Sequence, residues 1–122
     1  LPEFMPLCTE RGVKLTIGGP YNSGILARDL DQPVAFDYQR APEHLVDKAK
    51  ALKAVCQRHG VELRAAALQF IFGHEAVIST VPGAATVAEL EDNARVMQAD
   101  IPPALWDELK GEGLLPDNAP TP

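Results

Sequence analysis

Residues 80–93 read TVPGAATVAELEDN, which predicts the end of a buried strand, a tight glycine turn and the capped start of an amphipathic helix. The run before it, residues 76–79, is short, apolar and rich in β-favouring side chains. Thr86 suits the capping position, and the apolar residues that recur at helical spacing after it are Val87, Leu90, Ala94 and Met97. Free backbone N–H groups at such a helix start point toward negative charge, so the stretch predicts an anion site. Most junctions of this kind bind nothing, and the spacing by itself leaves that question open.

The composition is that of an ordinary soluble protein, with 46% hydrophobic and 23% charged residues. A net charge of −6 argues against nucleic acid or an anionic membrane surface as a partner, because either requires a basic patch. We see no secretory signal and no run near the roughly 20 apolar residues of a membrane helix, and therefore expect a cytoplasmic protein. Cys8 and Cys56 fall on apolar positions of predicted helices without metal or redox spacing, so we expect both in the core and no metal site.

The rest of the chain alternates helices with loops. A helical stripe that starts after Glu43 and ends at His59-Gly60 is formed by Leu45, Ala49, Leu52 and Cys56. Residues 64–72 predict an alanine-rich helix that is apolar on most sides, and residues 4–11 predict the end of another helix. The anchors of the last helix, which has Pro103 near its start, are Leu105, Trp106 and Leu109. Residues 27–41 have no sustained period and predict a loop.

Three blocks of sequence carry a resemblance to the aldo-keto reductases. Residues 80–93 resemble the end of the last barrel strand and the helix after it, and residues 12–26, GVKLTIGGPYNSGIL, resemble the seventh strand and its loop. The predicted helices of residues 45–72 resemble the seventh helical layer. The GGPYNSG loop, FDY at 36–38, and the tail GLLP at 113–116 are most similar to bacterial dehydrogenases of L-fucose and D-threo-aldoses and to pyridoxal dehydrogenases.

The resemblance implies an α/β fold, the C-terminal part of a (β/α)₈ barrel with strands seven and eight, their helices and a C-terminal helix. A complete barrel takes about 250 residues, whereas this chain has 122. We therefore expect residues 1–122 to be a fragment of one barrel domain, cut on its N-terminal side, with an incomplete barrel.

The same resemblance implies half of a cofactor-binding site, because phosphates in such barrels are often held by the loops after strands seven and eight. Gly19, Tyr21 and Ser23 match family positions that contact the pyrophosphate and the nearby ribose. Thr86 matches a polar position near the adenosine ribose. Asp92 and Asn93 match positions that bind the adenine edge. The full predicted set is Gly19, Pro20, Tyr21, Asn22, Ser23, Gly83, Ala84, Thr86, Glu89, Asp92 and Asn93.

The resemblance also bears on the choice between NAD and NADP. Members that prefer NADP carry a lysine and an arginine where this sequence has Gly83 and Glu89. A 2′-phosphate would meet the negative charges of Glu89, Glu91 and Asp92, with only Arg95 to offset them. A carboxylate suits a free ribose hydroxyl instead, so we expect NAD to be preferred.

No catalytic residue is predicted within this chain. The family uses a tyrosine, a lysine, an aspartate and a histidine from early strands, and no match is assigned to Tyr21, Tyr38, His44, His59 or His74. We expect an inactive isolated chain whose parent enzyme oxidises an aldose at C1 to a lactone, with pyridoxal and other carbonyl substrates left open. The alternative is a noncatalytic module that associates with itself or another chain through open strand edges.

Overall fold

The computed structural model describes residues 3–37 and 39–122. Four strands run over Leu15–Gly18 (β1), Ala35–Phe36 (β2), Gln39–Arg40 (β3) and Val77–Val81 (β4). Five helices run over Phe4–Glu10 (α1), Glu43–Arg58 (α2), Leu63–Phe70 (α3), Val87–Met97 (α4) and Pro103–Gly111 (α5). Single 3₁₀ turns lie at Asn22–Gly24 and Ile71–Gly73. Among the helices of residues 3–37 and 39–122, none has the length and apolar character that a membrane span needs.

Strands β1 and β4 pair in parallel, as expected for the two segments that resemble neighbouring barrel strands. Ile17 lies opposite Thr80 and Gly18 opposite Val81, and the Thr80 hydroxyl donates to the Ile17 carbonyl at 2.9 Å. Parallel neighbours need a long crossover connection, which α2 and α3 supply here. The two strands therefore end at the same edge, and the loops that follow them start side by side.

The main core lies between helices α2, α3, α4 and α5. Its fully buried side chains are Val55, Cys56, Leu68, Val96 and Leu105. Trp106, 4% exposed, packs against the Phe70 ring at 6.0 Å between centroids. The predicted core positions of both cysteines are confirmed, and burial raises the pKa of the Cys56 thiol to about 11.

A second, smaller core corrects the prediction that residues 27–41 form only a loop. This segment contains the antiparallel hairpin β2–β3, and Leu30 and Val34 from it are buried with Ile25, Ala41 and Ala49. Apolar side chains spaced without a period can still fold onto a neighbouring helix, here α2, which local periodicity does not reveal. The predicted loop residue Tyr38 lies outside the described residues.

The apolar stripe of α4 does not face the core. Val87 is 73% and Leu90 60% exposed, and the residues of this helix that are buried are Asn93 and Val96. Strand β4 was predicted as a buried strand, yet its Ile78 and Val81 are also more than half exposed. In the described residues β4 pairs with β1 alone, and α4 turns Asn93 and Val96 rather than its apolar stripe toward the interior, so nothing covers these apolar side chains.

The C-terminal tail folds back over the 3₁₀ turn at Ile71–Gly73. Leu114 and Leu115 pack against the helical core. A Cβ atom at Gly73 would lie 2.6 Å from the Pro120 carbonyl oxygen and 2.7 Å from the Thr121 Cα. The absence of a side chain at Gly73 is therefore what lets the tail lie against this turn.

We predict that Gly73→Ala lowers the free energy of unfolding by about 1–3 kcal/mol, because the added methyl group overlaps backbone atoms of the tail. Urea unfolding monitored by Trp106 fluorescence measures the change. Gly111→Ala is the matched control, since nothing lies within 4 Å of its Cβ position and alanine favours the end of α5. Equal stability of Gly73→Ala and wild type would contradict the close contact of the tail backbone with Gly73.

Candidate functional site

The loops after β1 and β4 meet around a cleft of about 530 Å³. Its volume lies within the range of roughly 300–1,000 Å³ that small-molecule sites usually have. The cleft lies beyond the carboxyl ends of two parallel strands, where open α/β sheets and barrels bind their ligands. Every residue that the sequence analysis placed at the cofactor lines it, except Thr86.

The loop after β1 is held in an unusual backbone conformation. Gly19, Asn22, Ser23 and Gly24 have φ values of 64°, 51°, 60° and 99°. Left-handed conformations cost free energy for residues other than glycine, and they cluster at functional sites. The Asn22 N–H donates to the Gly19 carbonyl and the Gly24 N–H to the Tyr21 carbonyl, both at 3.0 Å, so these groups close the turn on itself.

The loop after β4 ends in a capping box at the start of α4. The Thr86 hydroxyl accepts a hydrogen bond from the Glu89 N–H at 3.2 Å, which confirms the predicted cap. The Glu89 carboxylate accepts one from the Ala85 N–H at 2.6 Å. Thr86 therefore serves the helix rather than the cleft, and the positive end of α4 already has a carboxylate of this chain beside it.

Tyr21 connects the first loop to helix α4. Its hydroxyl donates to the Asn93 side-chain oxygen at 2.7 Å, and the Asn93 amide nitrogen donates to the Gly83 carbonyl at 3.4 Å. Burial raises the pKa of the Tyr21 hydroxyl above its ordinary value, an effect that Arg64 opposes and Asp92 reinforces. At neutral pH the hydroxyl is thus a hydrogen-bond donor.

Sequence reasoning missed two arginines in the cleft wall, Arg28 and Arg64. The guanidinium of Arg28 lies over Gly24, since a Cβ there would be 3.0 Å from its Nε. Arg64, at the start of α3, forms ion pairs with Glu62 and Asp92. Its contact with Asp92 joins residues of two different helices, so no local signal in the sequence marks it.

Arg95 does not line the cleft, although the sequence analysis gave it as the cation nearest to a bound phosphate. It pairs instead with Asp92 at 2.7 Å and with Glu62 at 2.8 Å. The Asp92 carboxylate is therefore held by two guanidinium groups. The hydrogen bond from Arg64 lowers the pKa of Glu62 most, burial opposes it, and Arg95 adds to the lowering.

The three histidines lie away from the cleft. His59 Nε2 is 2.5 Å from the Glu108 carboxylate, which joins the end of α2 to α5. His74 Nδ1 accepts from the Ala76 N–H at 3.2 Å before β4, and His44 is exposed on α2. Within the described residues no three His, Cys, Asp or Glu side chains come together to hold a metal ion. Two arginines and two carboxylates therefore line the cleft, and none of the three histidines does.

Comparison with known sequences identifies relatives along nearly the whole chain. The aldo/keto reductase family model matches residues 2–111. Pyridoxal 4-dehydrogenase from Microbacterium luteolum is 38% identical over 113 residues, which are 93% of this chain and 33% of that protein. D-threo-aldose 1-dehydrogenase from Pseudomonas sp. is 34% identical over 115 residues, 93% of this chain and 35% of the relative. The chain spans about a third of the length of these curated relatives.

Comparison with solved structures gives the same fold. An aldo-keto reductase from Bacillus halodurans in its holo form superposes with a TM-score of 0.64 at 24% identity, over 93% of this chain and 37% of that one. Its apo form gives 0.66 at 23% identity, over 90% and 38%. The predicted fold class is confirmed: the described elements are part of a (β/α)₈ barrel, with β1 and β4 as two neighbouring strands.

We predict that Glu62→Gln makes the protein less sensitive to acid. Because the ion pairs lower the pKa of Glu62 in the folded state, they stabilise the fold above the unfolded value of about 4.3, and this contribution is lost as pH falls through the folded value. The free energy of unfolding, measured in urea from about pH 6 to about pH 3, should therefore fall less steeply in the variant. Glu91→Gln, an exposed carboxylate on α4, is the control. Identical slopes for wild type and Glu62→Gln would count against the ion pairs.

Proposed function

We propose that this chain, which belongs to the aldo/keto reductase family, carries the cofactor-binding part of an NAD-dependent oxidoreductase. The observation that carries the proposal is the meeting of two glycine-containing loops around one cleft, beyond the carboxyl ends of neighbouring barrel strands. Barrel enzymes commonly hold phosphate groups at this place.

The residues of the cleft fit a dinucleotide by their chemistry. Gly19 and Gly83 allow the pyrophosphate to approach the backbone closely, and Ser23 offers a hydroxyl donor. Arg28, beside Gly24, and Arg64, which is paired with Glu62 and Asp92, add positive charge to the cleft wall. When bound, the nicotinamide would accept a hydride, while these residues bind and orient the cofactor.

Electrostatics supports NAD over NADP. Asp92 is already paired with Arg64 and Arg95, so its charge is largely offset. Glu89 remains as a carboxylate in the cleft wall, and the N–H that its side chain occupies at the start of α4 is not offered to a phosphate. A 2′-phosphate would be repelled there, whereas a ribose hydroxyl could donate to Glu89.

The substrate proposal follows the two curated relatives. One is named a pyridoxal 4-dehydrogenase and the other a D-threo-aldose 1-dehydrogenase. We favour an aldose: C1 loses a hydride to NAD and its hydroxyl loses a proton, which gives a lactone and NADH. The proton acceptor and the substrate loops would lie in barrel strands other than β1 and β4. Pyridoxal is the competing substrate for the same assay.

We predict that Glu89→Gln raises the affinity for NADP relative to NAD by about threefold to tenfold, because the amide keeps the hydrogen bond from Ala85 and removes the charge. Isothermal titration with both cofactors measures the ratio. Glu91→Gln on the same helix lies outside the cleft wall and should leave it unchanged. A wild type that binds NADP more tightly than NAD would overturn the cofactor preference, and binding of neither would overturn the proposed function.

A second candidate function rests on the exposed apolar side chains at the surface of β4 and α4. Ile78, Val81, Val87 and Leu90 are 60–73% exposed in the described structure. Apolar exposure of this extent is typical of a surface that another protein surface covers. The chain would then act as a noncatalytic module that associates with a second copy of itself.

This candidate predicts a mass in solution above the 13.2 kDa of one chain, rising with concentration. Light scattering after size-exclusion chromatography measures it. Leu90→Lys should shift the protein toward a monomer, while Val13→Lys, on an exposed apolar residue outside this surface, should not. A protein that stays monomeric at all concentrations would contradict the proposal of a self-associating module.

A further inference from the structure

We propose that Asn93 is a positioning residue that holds the two cleft loops at a set distance, so that the cleft is preformed before a ligand enters. It acts through the Tyr21–Asn93–Gly83 bridge, the pair of hydrogen bonds that joins the loop after β1, helix α4 and the loop after β4. The consequence for ligand affinity rests on the cofactor binding proposed above. The bridge itself does not.

The first observation is the burial of Asn93. At 9% exposure it is the only polar or charged residue that is buried within residues 3–37 and 39–122. A buried amide is retained without penalty only when its polar atoms have partners. Asn93 has a partner on each side: the short contact of 2.7 Å from Tyr21 and the longer one of 3.4 Å to Gly83.

The second observation is what Tyr21 itself holds. Its carbonyl accepts the N–H groups of Gly24 at 3.0 Å and Leu26 at 3.3 Å. Three residues with positive φ, Asn22, Ser23 and Gly24, lie between Tyr21 and Leu26. Because the Tyr21 ring packs on the helical core and its hydroxyl is anchored on Asn93, the conformation of this loop depends on α4.

The third observation is that α4 is a firm support. The side-chain amide of Gln69 on α3 donates to the carbonyls of Val96 and Ala99 at 3.0 and 2.8 Å. These bonds hold the far end of the helix, away from the cleft, and Val96 is fully buried beside them. Asn93 therefore connects this fixed helix to both cleft loops, in addition to the core contacts that Tyr21 and Ile25 make in the loop after β1.

Direct contact of Asn93 with adenine, which the family resemblance implies, would make different predictions. If Asn93 and Tyr21 contacted the ligand independently, the losses of affinity on removing each would multiply. If they act as one bridge, removing either breaks the same connection, and the double variant is no worse than the single ones.

The test is a double-mutant cycle of Tyr21→Phe and Asn93→Ser on the intact chain, with the Kd for NAD measured by isothermal titration. We expect each single variant to raise Kd about threefold to tenfold, the factor that one net hydrogen bond represents, and the double variant to match them. Gly73→Ala is the matched control: it lies outside the cleft and the bridge, and it should lower the unfolding midpoint while leaving Kd unchanged. Multiplying losses, or a Tyr21→Phe variant with wild-type Kd, would overturn the proposal.

A measurement without ligand separates this inference from the proposed function. Hydrogen exchange of the Gly24 and Leu26 amides should be faster in Tyr21→Phe than in wild type, and unchanged in Gly73→Ala. If wild type binds neither dinucleotide, the proposed function fails, and faster exchange in Tyr21→Phe would still support the bridge. Unchanged exchange in that variant would overturn it.

Discussion

The parallel pairing of β1 with β4 is the constraint on which the rest of the structure depends. Parallel strands end at the same edge, so this pairing brings together loops that are about 60 residues apart in the sequence. It also requires a long crossover, and α2 and α3 provide both the connection and half of the buried residues of the main core. The cleft and the core thus arise from one topological requirement.

The cleft is lined by two glycine-containing loops and by charged side chains, most of which are paired with an opposite charge of the same chain. Arg64 and Arg95 surround Asp92, and Glu89 occupies the start of its own helix. These ion pairs are partly exposed, so each contributes little to stability. Their main effect is local: they determine which part of an anionic ligand meets positive charge and which part meets a carboxylate.

The sequence was sufficient for features that depend on neighbours along the chain. The Thr86 cap, the Gly60 turn with φ of 68° and the buried Trp106 all follow from local pattern. Contacts between residues that are distant in the sequence could not be predicted from it. Arg64 meets Asp92 only because α3 lies beside α4, and Tyr21 reaches Asn93 across 72 positions of sequence. The stripe of α4 shows a further limit, since periodicity finds an apolar face without saying what covers it.

The location of the core between helices has a consequence for how this sequence can change over evolutionary time. Thr16, Ile78 and Val81 on the strands are exposed and stand outside the helical core, whereas Leu68 and Leu105 are fully buried within it. Substitutions at these strand positions therefore leave the packing of the helices intact. Selection on these strand positions therefore comes from whatever packs against the sheet, whereas selection on Leu68 and Leu105 comes from the helical core itself.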